Sequence, residues 1–256
     1  MKKELLNPVV LSNQLARYGV MDFNVTQWRI FLYAISKVQP NDCEFRPEEI
    51  RLRDFCNIFN ITSYDDVRNA CFTLLNSKIT VNDNEYWVFK YCECYGNKIF
   101  YQLSPDLSPF LLFQFDNMTI FDLGYTAKLS SKHALRFYVF ASSYKKLHTY
   151  NMSTKNFSTV LKTNLSPGEI SRRILTPAIN NINTLTNIRV RVEKLKNRFY
   201  FYARELYKNE KDELGVDAWR RYAEIDKEES SLSFDKIEEK LFAKEIEEEK
   251  KLLSVG

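Results

Sequence analysis

The chain is poor in histidine and glycine. Its two histidines, His133 and His148, are not spaced as a metal-binding pair, so a rolling-circle nickase, which sets such a pair beside a nucleophilic tyrosine, is excluded. Only six glycines occur, and no G-x-x-x-x-G-K-[ST] loop exists, which excludes a P-loop helicase or ATPase. No apolar run reaches the roughly 18 residues that mark a membrane-spanning helix. The opening "MKKELLNPVVLSNQL" has no long apolar region and no small-residue cleavage site, and a cytoplasmic protein is expected. The five cysteines are Cys43, Cys56, Cys71, Cys92 and Cys94; only the last two are close, on alternate positions that share a strand face. They read as reduced, packed thiols. "HALRFYVFA" offers His133 and Arg136 in the H-x-x-R spacing of tyrosine recombinases, but the rest of that active site cannot be assembled. His133 then reads as a near-surface helix residue and Arg136 as a structural or phosphate contact. No catalytic residue, metal site or cofactor is expected, and the chain reads as a non-enzyme.

What is present is apolar residues, aromatics and an uneven charge. The chain is 45% hydrophobic and 14% aromatic, enough for a sizeable core. Residues 223–256 hold 11 acids and 6 lysines, while the preceding residues carry 31 Lys/Arg against 22 Asp/Glu. A basic body implies a polyanionic partner.

The pattern along the chain repeats. "TQWRIFLYAISKV" puts Trp28, Phe31, Leu32 and Ile35 on one helical face. A short helix, "LRDFCNIF", follows, and then "SYDDVRNACFTLLNSK", opened by Ser63 and Asp66 and striped by Val67, Cys71, Leu74 and Leu75. A strand-rich stretch with a Gly96-Asn97 turn closes the set. The same order returns as "SSKHALRFYVFASSYKK", "STKNFSTVLK" behind Ser153, "SPGEISRRILTPAINNIN", and the hairpin "IRVRVEKLKNRFYFYAREL". Ser63 and Ser166 are 103 positions apart; Phe55, Ile58 and Phe59 map to Phe157, Val160 and Leu161 at an offset of 102. Three helices followed by a hairpin is the layout of a winged helix-turn-helix, with the third helix as groove reader. An α+β fold of two tandem winged helices related by a pseudo-two-fold duplication is expected. The expected boundaries are 1–105 for the first domain, 106–128 for a linker, 129–206 for the second domain and 207–256 for an acidic helical or mobile tail.

In the third helix of the second set, a wheel stepped at about 100° per residue gathers Ile170, Ile174, Leu175, Ala178, Ile179 and Ile182 on one side. Glu169, Arg172, Arg173, Thr176, Asn180 and Asn183 face the other side. Ser166 caps, Pro167 suits the first position, and Glu169 completes a capping box. Arginine and asparagine suit bidentate contacts with guanine and adenine. The hairpin alternates Ile188, Val190 and Val192 with Arg189 and Arg191, and its tip carries Lys194, Lys196, Asn197 and Arg198, suited to phosphates. Pro177 should bend or loosen the helix. The first-half helix instead shows Asp65, Asn69, Phe72, Thr73 and Asn76, with Arg68 at its edge; an acid and an exposed aromatic suit DNA poorly and a protein contact better, so the first half is expected to supply a protein interface, with DNA contacts secondary.

"VVLSNQLARYGVMDFNVTQWRIFLYAISKV", "LSSKHALRFYVFASSYKK" and "ISRRILTPAINNIN", in this order, resemble the theta-type, iteron-binding plasmid replication initiators of the RepB/RepE type. The resemblance spans roughly residues 7–205 and leaves the tail outside. It implies binding to direct repeats in double-stranded origin DNA as a monomer, opening of an adjacent A+T-rich region, and recruitment of the host initiator and replicative helicase. It also implies a homodimer, formed through the first winged domain, that represses the protein's own gene. On it, Glu169, Arg172 and Arg173 face bases or phosphates, and Lys132, Lys194, Lys196 and Arg198 hold phosphates. The helix and wing patterns themselves add Ser166, Thr176 and Asn180 to the first set, Arg189 and Arg191 to the second, and Arg68 as a candidate secondary DNA contact. A winged-helix transcriptional regulator without initiator activity shares the same reading helix and wing. A protein-interaction module with an incidental basic face would lack their salt dependence and sequence preference.

Overall fold

The computed structural model describes residues 8–206, except 40–41, 113–116, 146 and 148. Met1–Glu205 make one compact unit. The expected acidic helix with Phe234, Ile237, Leu241, Ile246 and Leu253 lies outside the described residues.

The first half runs β1 (Pro8–Ser12), α1 (Asn13–Tyr18), α2 (Val25–Ile35), β2 (Glu48–Arg51), α3 (Leu52–Phe59), α4 (Tyr64–Leu75), β3 (Lys78–Val81), β4 (Asn84–Trp87), β5 (Phe89–Tyr95) and β6 (Lys98–Leu103). A 3-10 turn, Pro105–Leu107, and α5 (Ser108–Leu111) lead on. The second half runs β7 (Met118–Asp122), α6 (Leu123–Lys128), α7 (Lys132–Ser142), β8 (Thr149–Ser153), α8 (Thr154–Val160) and α9 (Pro167–Glu169). A π-helical segment (Ile170–Leu175), α10 (Thr176–Leu185), β9 (Ile188–Leu195) and β10 (Arg198–Glu205) complete it.

Local chemistry sets these elements. Asn24 and Gln27 form a reciprocal capping box on α2. Ser63 accepts from the Asp66 amide at the start of α4, and Ser153 from the Asn156 amide at the start of α8. Asn60 ends α3 in the left-handed region at φ 51°. Asn82 and Asp83, at φ 49° and 64°, make the tight turn between β3 and β4. One hairpin is expected after α4; the structure has two, and this extra one precedes the wing.

Each half ends in a three-stranded antiparallel sheet, ordered β2-β6-β5 in the first and β8-β10-β9 in the second. In both, a short strand before the middle helix flanks the hairpin. The Leu52 amide that opens α3 donates to the Asn97 carbonyl at 2.8 Å; the Thr154 amide that opens α8 donates to the Asn197 carbonyl at 2.9 Å. Gly96 takes φ 58° in the first turn, where a side chain would be strained, and Lys196 takes φ 49° in the second. β1 and β7 pair antiparallel, Val10 opposite Ile120. The segment expected as a linker, 106–128, therefore holds α5, β7 and α6 and supplies a strand to a pair with the start of the chain.

The core is aromatic. In the first half Tyr33 packs edge-on against Phe55, Phe59 and Tyr101. In the second, Phe137, Phe140, Phe157, Phe199 and Phe201 form a closed cluster between α7, α8 and β10. Trp28, Phe23 and Phe31 meet edge-to-face near the chain start. Leu75, expected in the α4 stripe, is 37% exposed instead, at the edge of the face that buries Val67, Cys71 and Leu74. Cys92 is buried with its thiol hydrogen-bonded to Cys71, and that contact together with burial pushes it well above the ordinary thiol range. Among the described residues no helix is long and apolar enough to cross a membrane.

Candidate nucleic-acid interface

The candidate reading helix starts with the expected cap. The Glu169 amide donates to Ser166 Oγ at 3.3 Å, and the Ser166 amide donates to Glu169 Oε2 at 3.2 Å. The Ser166 hydroxyl donates to the same carboxylate at 3.0 Å. These bonds, with Arg173 and Arg172 nearby, hold Glu169 below the usual carboxylate range. Glu169 also lies 3.4 Å from Arg173. It is thus a cap and a partner for Arg173. Ser166→Ala removes the hydroxyl side of the box, keeps the backbone side, and should cost about 0.5–2 kcal/mol of stability in a urea melt.

Beyond the cap the helix widens. The Thr176 amide donates to the Ser171 carbonyl, five residues back, and the Thr176 hydroxyl donates to the same oxygen at 2.9 Å. Pro177 is the cause: it has no amide hydrogen, and in a regular helix its ring would meet the carbonyl four residues earlier. The expected loosening is a π segment just before the proline. Arg172, Arg173, Thr176 and Asn180 are exposed, while Ile170, Ile174, Leu175, Ala178 and Ile182 are buried. Arg172 makes no ion pair or hydrogen bond among the described residues. Asn183 departs from the wheel, because the wide turn shifts the face. Its side-chain amide donates to the Val190 carbonyl at 2.9 Å and its oxygen accepts from the Val190 amide at 2.7 Å. Asn183 fastens the helix to the wing.

In the wing, Ile188 and Val190 face the core with Phe199, Phe201 and Ala203. Lys194, Lys196 and Arg198 are exposed at the tip. Arg198 Nε donates to Asn151 Oδ1 at 2.9 Å, which ties the tip to β8. The bond from Thr154 to Asn197 sets exposed Lys155 beside the tip, a cation not expected from the sequence because it sits on the helix before the reader. Arg189 and Arg191 lie on the outer sheet face, both half-buried. Arg191 is 3.0 Å from Glu193 and 4.8 Å from the Tyr202 ring centroid. Arg204 stands directly opposite Arg189 and adds a third arginine to that face.

The remaining candidates sit on other elements. Lys132 is 3.4 Å from Asp22, which also lies 3.6 Å from Lys162. Arg68 pairs with Asp65 at 2.9 Å, and Phe72 beside it is 72% exposed. Arg136 is wholly buried, donating to the Ala16, Arg17 and Gly19 carbonyls at 2.7, 3.3 and 2.9 Å. It has a structural place and no route to a phosphate. His133 is half-buried, and burial with Lys132 nearby lowers its pKa.

A capped third helix with exposed cations, locked by its own side chain to a hairpin with a cationic tip, defines a winged-helix nucleic-acid-binding protein. Residues 8–142 match the model of the Initiator Replication protein, WH1 family (Rep3_N), and the chain belongs to that family of DNA-binding replication initiators. Among solved structures it is similar to the crystal structure of selenomethionine derivatives of domain 2 and domain 3 of RctB. The identity is 11% and the TM-score 0.45, over 72% of this chain and 81% of that one. No curated protein matches the chain.

Proposed function

We propose that the chain is a cytoplasmic plasmid replication initiator that binds direct repeats at its origin, helps open the adjacent duplex, and recruits the host initiator and helicase. The carrying observation is the family match over residues 8–142, which runs through the first half and into α7, joined to a second helix and wing that both expose cations. In this reading the two halves are tandem winged helices from one duplication. The matching sheet orders and the matching bonds from Leu52 to Asn97 and Thr154 to Asn197 support that.

Arg172 and Asn180 read bases; Arg173 and Thr176 contact bases or backbone. Lys194, Lys196, Arg198 and Lys155 hold phosphates, and Arg189 and Arg191 lie farther back on the sheet. Lys132 and Arg68 reach DNA only by leaving Asp22 and Asp65. The first half forms the homodimer, and the dimer represses the initiator's own gene; exposed Phe72, Leu75 and Trp87 favour that protein contact.

Footprinting on DNA flanking the protein's own gene, across a salt series, tests the reading. A protected array of direct repeats is expected. One protected inverted repeat with no array would turn the assignment to a plain repressor, and no sequence-dependent protection at low salt would end the DNA-reading account.

Lys196 separates charge from fold, because its left-handed backbone suits glycine. Lys196→Gly should weaken cognate and scrambled duplexes by the same factor and reduce the slope of log K against log salt by about 0.9. A selective loss on the cognate site would move Lys196 to the base-reading set.

A further inference from the structure

β1 and β7 pair with Pro8 opposite Asp122 and Ser12 opposite Met118. Ser12 caps α1 and Asp122 caps α6, so the two short helices leave opposite ends of one two-stranded ribbon. Each helix ends in carbonyls with no partner inside the helix and with partial negative charge. Both ends are met by an arginine from the other half. Arg136, on α7, donates to the Ala16, Arg17 and Gly19 carbonyls at the end of α1. Arg29, on α2, donates to the Ala127 and Leu129 carbonyls at the end of α6, at 3.4 and 3.3 Å. Arg17 adds a tie from α1 to the end of α7, donating to the Ser143 carbonyl at 2.6 Å and to Ser143 Oγ at 3.0 Å.

The two arms are unequal. Arg136 is almost without solvent contact, and its shortest bonds are 2.7 and 2.9 Å. Arg29 is partly buried, its bonds are longer, and its guanidinium rests 5.8 Å from the Phe59 ring centroid. Burial lowers both pKa values, Arg136 to about 10, which leaves Arg136 charged at neutral pH. A buried cation is a poor device for packing alone, because an apolar side chain of similar size does as well or better. Carbonyls at one fixed place meet its terminal N–H groups only when the two halves hold one orientation, and the buried Nε of each arginine has no hydrogen-bond partner among the described residues.

We propose that Arg29 and Arg136 are positioning residues that form a reciprocal clasp, fixing the angle between the halves and so the spacing along DNA at which both bind, with the Arg29 arm the weaker. The DNA consequence rests on the reading that both halves touch DNA.

Two measurements on the full chain test this. The first uses no DNA: spin labels attached through bioorthogonal residues at Tyr95 and Leu195, both exposed beside the wing tips, report the distance between halves. The unsubstituted chain should give one narrow distance, and Arg29→Gln a distribution at least about twice as wide. A folded Arg29→Gln chain with the original width overturns the clasp. If Arg29→Gln does not fold, Arg29→Lys, which keeps the charge and loses the fork, is read instead by the same criterion.

The second inserts about five base pairs, half a helical turn, between the DNA segments that the two halves protect. The unsubstituted chain should lose about tenfold or more in affinity, and Arg29→Gln less than about threefold. Equal losses overturn the positioning role even if Arg29→Gln lowers stability, because destabilisation alone leaves spacing preference intact. A footprint from one half only sinks the two-half reading and the DNA consequence with it, and the label distances then decide the clasp by themselves.

Discussion

Phe201→Ala should lower the unfolding free energy by about 3–5 kcal/mol, the range for deleting a buried phenylalanine side chain. Phe201 is fully buried and touches five other rings. Phe140 and Phe157 are nearest, each at 4.9 Å between centroids. These rings come from α7, the turn that follows it, α8 and β10, so the cavity would open where the helices meet the wing. Against a typical stability of about 5–15 kcal/mol, the loss is large. Tyr95→Ala, at a wing position 78% exposed, is the matched control and should change stability by less than about 0.5 kcal/mol. Urea melts of the two variants check the pair. A Phe201 variant as stable as the control would mean that the second half does not hold its helices on this ring cluster.

Arg172→Ala should cost about 1–3 kcal/mol of binding to the cognate site, roughly 5- to 150-fold, and much less on scrambled DNA. Arg172 stands out from its neighbour because Arg173 already pairs with Glu169. It is exposed on a helix whose cap, π segment and tie through Asn183 fix where it points. Arg173→Ala should fall at the lower end of that range, since binding DNA first releases Glu169. Titration of both variants on cognate and scrambled duplexes checks the order. A normal cognate affinity for both would move base reading to another element.

The helices and wings were legible because their signals are local. Ser63, Ser153 and Ser166 are read directly as caps, and the apolar spacing of Trp28, Phe31, Leu32 and Ile35 marks a face that is buried. The offset between halves followed from the same marks. The pairing of β1 with β7 was not legible: each strand has five residues, and the partner lies far along the chain. Asn82 and Asp83 were a missed hairpin signal, since adjacent Asn and Asp tolerate positive φ. Asn183 was misplaced because a wheel at constant pitch cannot represent the π segment, although Pro177 announced a disturbance. Arg29 and Arg136 stand in helices like any other cations, and only the tertiary fold brings them to carbonyls of the opposite half.

The central claim is that the helix behind Ser166 reads bases. It is tested most directly by binding the unsubstituted chain and Arg172→Ala to a set of duplexes in which each base pair of the footprinted site is changed in turn. The unsubstituted chain should lose about 1–3 kcal/mol at each contacted pair. Arg172→Ala should lose discrimination at one or two adjacent pairs, with a guanine among them, and keep it elsewhere. An unchanged profile, shifted only in overall affinity, would contradict the claim and leave Arg172 as a phosphate contact.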